Sequence, residues 1–441
     1  MEVPSDTNNN KTKQMKRQAH IYLLIFLITV SCAQKPDKVE KYSSNKKKVT
    51  AKDILGNPNY LAISYGGYRK ESRDIQPTIE ELKEDLKILH AMNIKLLRTY
   101  NVQLPHAANV AKAISEIKKD DPAFEMYIML GAWIDCKNAW TGLPVDHNVE
   151  SEQNEGEIER AVAIANEYSD IVKIIAVGNE AMVKWATSYY VQPGVILKWV
   201  NHLQNLKKEG KLDKDLWITS SDNFASWGGG SNEYHTNDLN KLIASVDFIS
   251  MHTYPMHDTH YNPRFWGVAH KEDSLTSLEK IEEAMLRSRR YAESQYHGVE
   301  RYMKSIGVEK PIHIGETGWA SYSNEHYGNN GSKATDEYKE ALFYKHMRDW
   351  TEKEGMSCFY FEAFDEIWKD QQNPGGSENH FGLFTIDGKA KYAIWDLVDK
   401  GVFEGLTRGG NPIVKTYKGS KEALLIDVSM PPIKKELVIA P

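Results

Sequence analysis

With 441 residues, 41% of them hydrophobic, the chain is long enough for one barrel of about 250 residues with sizeable loops or for two ordinary domains, and length alone does not choose. A formal net charge of −6 gives no basic field for a phosphate backbone and so argues against nucleic acid as a partner. The three cysteines are too few and too far apart for a disulfide framework or a thiolate metal motif.

Lys16-Arg17 precede an apolar run from Ile21 to Val30 that ends at Ser31-Cys32. The run is too short to cross a bilayer as a helix but has the length of a signal-peptide core. Its end resembles a bacterial lipoprotein signal, in which Cys32 becomes the lipidated first residue of the mature protein, although Thr29 stands where Leu is most common. An ordinary secretory signal that removes Cys32 is the competing reading. Met15 is a more usual start than Met1, since it sets the two cations directly behind the initiator. The expectation is a signal peptide over residues 1–32 and a flexible tether, rich in Lys, Ser and Asn, over 33–55. The protein is then expected in the cell envelope, on the periplasmic or surface face of an outer membrane, held to that membrane by a lipid anchor. Cys136 and Cys358 are expected as two separate buried thiols.

From Tyr60 onward, apolar runs of five to seven residues alternate with segments of helical period, the mark of parallel βαβ units. The runs that read as strands begin at Leu61, Lys95, Met126, Val172, Leu216, Val246, Pro311 and Cys358. Between the first two, Pro77-Thr78-Ile79-Glu80-Glu81 places a Thr cap with a Glu three residues on, and Leu82, Leu86 and Leu89 follow at helical spacing. Eight such units predict an α/β fold of the closed (β/α)8 (TIM) type over residues 56–400. An open doubly wound sheet is the alternative, but Gly66-Gly67-Tyr68-Arg69 after the first strand is no dinucleotide fingerprint.

In such a barrel the active site lies at the C-terminal ends of the strands. Glu180 ends the fourth strand and Glu316 the seventh, so both carboxylates are expected in one cleft. Cleaving an acetal at neutral pH needs one protonated carboxyl to release the leaving oxygen and one carboxylate to meet the developing cationic carbon. Either Glu taken alone could as well cap a helix or pair with an Arg. Long connections, His252 to Lys271 with Tyr254, Tyr261, Phe265 and Trp266, and Ala363 to Lys389, would wall the cleft. His252, His257, Asp258 and His260 fit no helix-borne ligand spacing, and no metal or other cofactor is expected.

Val177-Gly178-Asn179-Glu180, His252-Thr253-Tyr254-Pro255, Gly315-Glu316-Thr317-Gly318-Trp319 and Phe361-Glu362-Ala363-Phe364-Asp365-Glu366, with Lys369, resemble glycoside hydrolase family 17, the β-1,3-glucanases and related glucosyltransferases. Tyr68-Arg69, Arg98-Thr99-Tyr100 and Gly131-Ala132-Trp133-Ile134 bring the chain nearest to bacterial members, and the resemblance runs from Tyr60 to Val398. It implies a retaining, double-displacement mechanism with Glu180 as general acid/base and Glu316 as nucleophile. It also implies that Asn179 bonds the sugar 2-hydroxyl and that Tyr254 holds Glu316 through its hydroxyl. Trp319 looks like a sugar-stacking platform, with Trp133 a second candidate at the rim, although both are also ordinary core residues. Tyr68, Glu366 and Lys369 match polar or aromatic positions near the family's site, where a loop-supporting ion pair is the other reading of the last two. For Arg69 and Arg98, positioning a carboxylate and a structural role remain equally open.

The implied substrate is a β-1,3-glucan, laminarin-type polysaccharide or its oligosaccharides, attacked by an endo-acting monomer. Transfer of the glucosyl unit to another sugar uses the same two glutamates, and a non-catalytic glycan-binding lipoprotein would need neither. Ala320 replaces the Pro usual in plant members, and the loops Cys136–Gly142 and His257–Gly267 are longer, which leaves cleft shape open. Residues 401–441 carry β-like runs such as Ala423-Leu424-Leu425-Ile426 and have no assigned role.

Overall fold

The computed structural model describes residues 48–434. The signal peptide, Cys32 and most of the tether lie outside them. Eight parallel strands close into a barrel: β1 (Leu61–Ser64), β2 (Ile94–Arg98), β3 (Tyr127–Ala132), β4 (Val172–Asn179), β5 (Trp217–Asn223), β6 (Ile249–His252), β7 (Ile312–Thr317) and β8 (Cys358–Tyr360), with β8 pairing back onto β1. Each expected run yields one strand. The sixth starts later than its apolar run because Val246 N–H closes the preceding helix Asn237–Ser245 on Leu242, so the first residues of that run serve the helix exit.

These strands read as continuous apolar runs because both faces are covered. Outside, the helices bury Leu82, Leu86, Ile114, Ile158, Ile196 and Phe343 against the barrel wall. The helix Ile79–Ala91 starts as its sequence predicts, with Thr78 accepting from Glu81 N–H and Glu81 accepting from Thr78 N–H at 2.8 Å. Inside, the lower barrel is filled by Ala62, Leu96, Met129, Ile174, Phe248 and Phe359. The floor is closed by Ala51 and Ile54 of the short helix Ala51–Ile54, both fully buried. The tether expected up to residue 55 therefore gives way by Thr50 to a packed element of the barrel.

The segment after residue 400 is likewise part of the domain over its described length. Arg408 is buried and donates Nε–H to Asp85 Oδ1 at 2.9 Å, so the distant helix Ile79–Ala91 holds it. Ala423–Ile426 sits in the helix Lys421–Ile426, not in a strand, because Ser420 accepts from Ala423 N–H and caps a helix start. Cys136 and Cys358 are buried, unbridged thiols. Among the described residues no helix is long and apolar enough to cross a membrane.

Candidate active site

The upper interior of the barrel changes from apolar to polar: Ser64, Arg98, Ser221, Ser250, His252 and Glu316 are all buried there. Parallel register sets His252 beside Glu316 and Asn179 beside Ser221. Gly315 makes room for this layer, since a Cβ on it would lie 2.0 Å from Ser250 Oγ. The backbone turns sharply at the end of β4, with Gly178 at φ 80 and Glu180 itself at φ 45, a left-handed conformation that a side-chain-bearing residue adopts only when its surroundings hold it. Glu180 N–H is tied to Ser221 O at 2.9 Å. The side chain, 14% exposed, then turns back toward the axis. One oxygen of Glu180, one oxygen of Glu316 and a ring nitrogen of His252 lie within 4.8 Å of one another.

The two carboxyls have opposite surroundings. Burial would raise the pKa of Glu316, but the Arg98 guanidinium, His252 and the hydroxyls of Tyr254 and Tyr100 outweigh it and hold the group down at about 2. Tyr254 Oη donates to Oε1 at 2.7 Å and Tyr100 Oη to Oε2 at 2.9 Å, while Arg98 forms an ion pair with Oε2. Burial pushes both phenols well above their ordinary range, so they remain donors. Among the described residues no phenol or guanidinium bonds Glu180: burial first, and the charge of Glu316 second, push it up to about 8. Its partner is His252 Nδ1 at 3.0 Å, an imidazole that burial lowers to about 4 and so keeps neutral, with Nε2 bonded to Ser221 Oγ at 2.7 Å. Asp222, on the strand behind, accepts from Met182 N–H at 2.7 Å and fixes the loop after Glu180.

Glu180, His252 and Glu316 are, among the described residues, the one group of such side chains close enough to share an ion. Their atoms already serve Arg98, two phenols and Ser221, an arrangement suited to proton transfer and nucleophilic attack.

The family model described as the BtgE/BtgC glycoside hydrolase domain matches residues 62–382, from the start of β1 to beyond β8. The chain belongs to this glycoside hydrolase family. It is similar to the crystal structure of an endo-laminarinase from Formosa Hel1_33_131, at 72% identity and a TM-score of 0.87, covering 88% of this chain and 98% of that one. A probable glucan endo-1,3-beta-glucosidase of Aspergillus flavus is 22% identical over 367 residues, which are 79% of this chain but 45% of that protein, so the chain spans about half the length of this fungal relative. An active-site mutant of a Rhizomucor miehei beta-1,3-glucanosyltransferase, solved with laminaritriose, shares the fold at 20% identity and a TM-score of 0.51, covering 76% of this chain and 96% of that one.

Within this glycoside hydrolase domain the other expected site residues divide. Arg98 also donates to Asn179 Oδ1, leaving the Nδ2 end of that amide as the donor beside Glu180. Trp133 is half-buried at the rim, its ring 5.3 Å from that of Tyr189. Trp319 is no stacking platform: it is 0% exposed, donates Nε1–H to Ala334 O at 2.8 Å and packs on Trp266 and Phe343. Trp266 is buried too, bonded to Ser332 O at 2.7 Å, so the loop after β6 spends this aromatic on its own packing. Lys369 Nζ lies 2.5 Å from Glu362 and 3.6 Å from Glu366, over the ring of Phe361. Glu366 accepts from Tyr68 N–H and Trp368 Nε1–H, both at 2.9 Å, and the Tyr68 ring stacks on His106. This cluster braces the loops after β1 and β8. Arg69 turns outward to Glu84 and Asp85, each at 2.9 Å, and is structural. The contacts of Tyr100, His252 and Ser221 are not legible in the sequence, because each partner lies on or just past a different strand. The signal the sequence does carry is position: Tyr100 stands just past the end of β2 and His252 ends β6, where a barrel places its site.

Proposed function

We propose that the protein is a retaining, endo-acting hydrolase of β-1,3-glucan, with Glu180 as acid/base and Glu316 as nucleophile. The observation that carries this reading is the carboxylate pair, 4.8 Å or less between nearest oxygens, with one member held ionised and the other protonated at neutral pH. A retaining pair stands about 5 to 5.5 Å apart, whereas an inverting pair needs roughly 6.5 to 9.5 Å to admit a water. Glu180 gives its proton to the glycosidic oxygen while Glu316 attacks the anomeric carbon, forming a glycosyl ester and releasing the leaving sugar. Glu180, now ionised, takes a proton from a water that attacks the same carbon, and the ester bond to Glu316 breaks. Arg98, Tyr100 and Tyr254 keep the nucleophile charged, and Asn179 offers a donor to the sugar 2-hydroxyl. The named activities of the endo-laminarinase and the fungal glucosidase supply the substrate class. Product analysis on laminarin tests it: a ladder of oligosaccharides is expected, release of glucose or a disaccharide alone would mean exo action, and products longer than the substrate would mean transfer.

The anchoring reading is also a proposal: Cys32 carries the lipid, and the monomeric enzyme works from a cell-envelope membrane. Lys48, where the described domain begins, pairs with Asp213 and Asp215 just before β5, at the end of the barrel opposite Glu180 and Glu316. The wild-type protein should partition into membranes and Cys32→Ser should not; equal partitioning would overturn the anchor.

A further inference from the structure

The loop after β3 holds a feature that the catalytic centre does not use. After Asp135 the chain forms a hairpin, Cys136–Lys137 paired with Asp146–Glu150, and at its turn Trp140 stands 64% exposed with φ 64. A large apolar ring left in water on a left-handed backbone is unfavourable twice over, so its position must be enforced by its neighbours. They are in place. The ring lies over that of Tyr189 at 5.1 Å and 23°, and Tyr189 in turn meets Trp133 at 5.3 Å. Burial raises the Asp135 carboxyl, and Ser151, Trp133 and Trp140 face it closely enough to offset part of that rise.

The hairpin is itself stitched to the loop after Glu180. Cys136 N–H donates to Tyr189 O at 3.0 Å, Gln192 N–H to His147 O at 3.2 Å, and Trp199 Nε1–H to Glu150 at 2.6 Å. The His147 ring stacks on Tyr190 at 3.6 Å. Three rings, Trp133, Tyr189 and Trp140, thus form a continuous array from the loop that follows Glu180 out to an open indole face. Core packing explains Tyr189 and half of Trp133. It does not explain why a stacked phenol fixes the orientation of a ring that is 64% exposed. A flat indole face matches the apolar face of a pyranose ring, and a preset orientation removes the ordering cost of binding.

We propose that Trp140, stacked over Tyr189, is a glucosyl-binding platform remote from the scissile bond, and that this hairpin sets the length of β-1,3-glucan chain the enzyme prefers. The proposal rests on the substrate assigned above. The test uses the full chain carrying Glu316→Gln, which should bind without turnover, and laminari-oligosaccharides of increasing length followed by calorimetry and tryptophan fluorescence. Affinity should climb with length and then level off. Adding Trp140→Ala should lower affinity for the longest oligosaccharides about tenfold, flatten the climb and abolish the fluorescence change they cause. Tyr189→Leu, which removes the ring beneath Trp140, should give a smaller loss with the same dependence on length. An equal loss at every length, or none at any, would overturn the platform while leaving the catalytic reading intact. Failure of Glu316→Gln alone to bind any of these oligosaccharides would instead remove the substrate assignment, and the platform with it.

Discussion

Tyr254 donates its hydroxyl to Oε1 of Glu316 at 2.7 Å, whereas Glu180 meets the imidazole of His252 at 3.0 Å. That asymmetry separates two chemically identical side chains. Glu316 collects a cation and two phenols and stays ionised, while Glu180, buried next to that charge, keeps its proton.

Replacing Glu316 by Gln keeps shape and removes the nucleophile. Turnover on β-1,3-glucan should fall roughly thousandfold or more, while substrate binding is retained. Activity within tenfold of wild type would remove Glu316 from the reaction.

Glu180→Ala should fail differently. A substrate whose leaving group needs no protonation should still load the enzyme, and azide should rescue the second step by replacing base-activated water. The product of rescue should be a glycosyl azide of retained configuration, measurable by NMR. No rescue, together with equal rates for good and poor leaving groups, would show that Glu180 is not the acid/base.

The raised pKa of Glu180 also predicts a pH-dependent cost to stability. Its folded value of about 8 lies above the ordinary 4.5, so the folded state holds the proton more tightly. The stability this carries is complete below the unfolded pKa and is lost as pH rises through the folded one. Glu180→Gln, neutral at every pH, should match wild type near pH 4.5 and exceed it increasingly up to about pH 8, by on the order of a few kcal/mol. Thermal unfolding across that range checks the prediction; a constant difference would mean that the proton plays no part.

Much of this arrangement is readable from the sequence because the physics is local. A strand covered on both faces must be a continuous apolar run, so β4 and β7 are visible from their own residues, and with them Glu180 and Glu316 at the strand ends. What escapes is whatever depends on the far partner. Trp319 and Trp140 are the same residue type beside comparable loops, yet one is sealed under Ala334 and the other faces water. Asp85 and Arg408 lie 323 positions apart, and nothing near either residue announces the other. Tyr100 shares Glu316 with Tyr254 only because β2 and β6 point at one axis, which is a property of the closed ring.

That long-range pair gives its own prediction. Arg408 is buried against Asp85 with its guanidinium 4.0 Å above the Phe364 ring. Arg408→Ala should cost roughly 3 kcal/mol, because it leaves part of a buried charge without its partner. Denaturant unfolding measures this. The kcat/KM of the folded variant should be unchanged, since Arg408 touches none of the groups around Glu180 and Glu316.

The N-terminal boundary can be tested in the same way. Lys48 is exposed and lies outside the barrel interior, so a chain beginning at Lys48 should match the full chain in stability and turnover. Ala51 and Ile54, in contrast, close the floor against Phe248 and Phe359, and Gly56 N–H is bonded to Ser357 Oγ at 2.9 Å. Beginning the chain at Gly56 therefore strips the lower core of two fully buried side chains and exposes the apolar residues beneath them. Ile54→Ala alone should cost roughly 2–5 kcal/mol through the lost contact and the cavity left behind, and the shorter chain should lose at least as much. Because the floor is the far end of the barrel from Glu316, the folded fraction of either variant should keep wild-type kcat. Equal melting temperatures for chains starting at Lys48 and at Gly56 would show that the floor helix is an appendage and that the domain begins at β1.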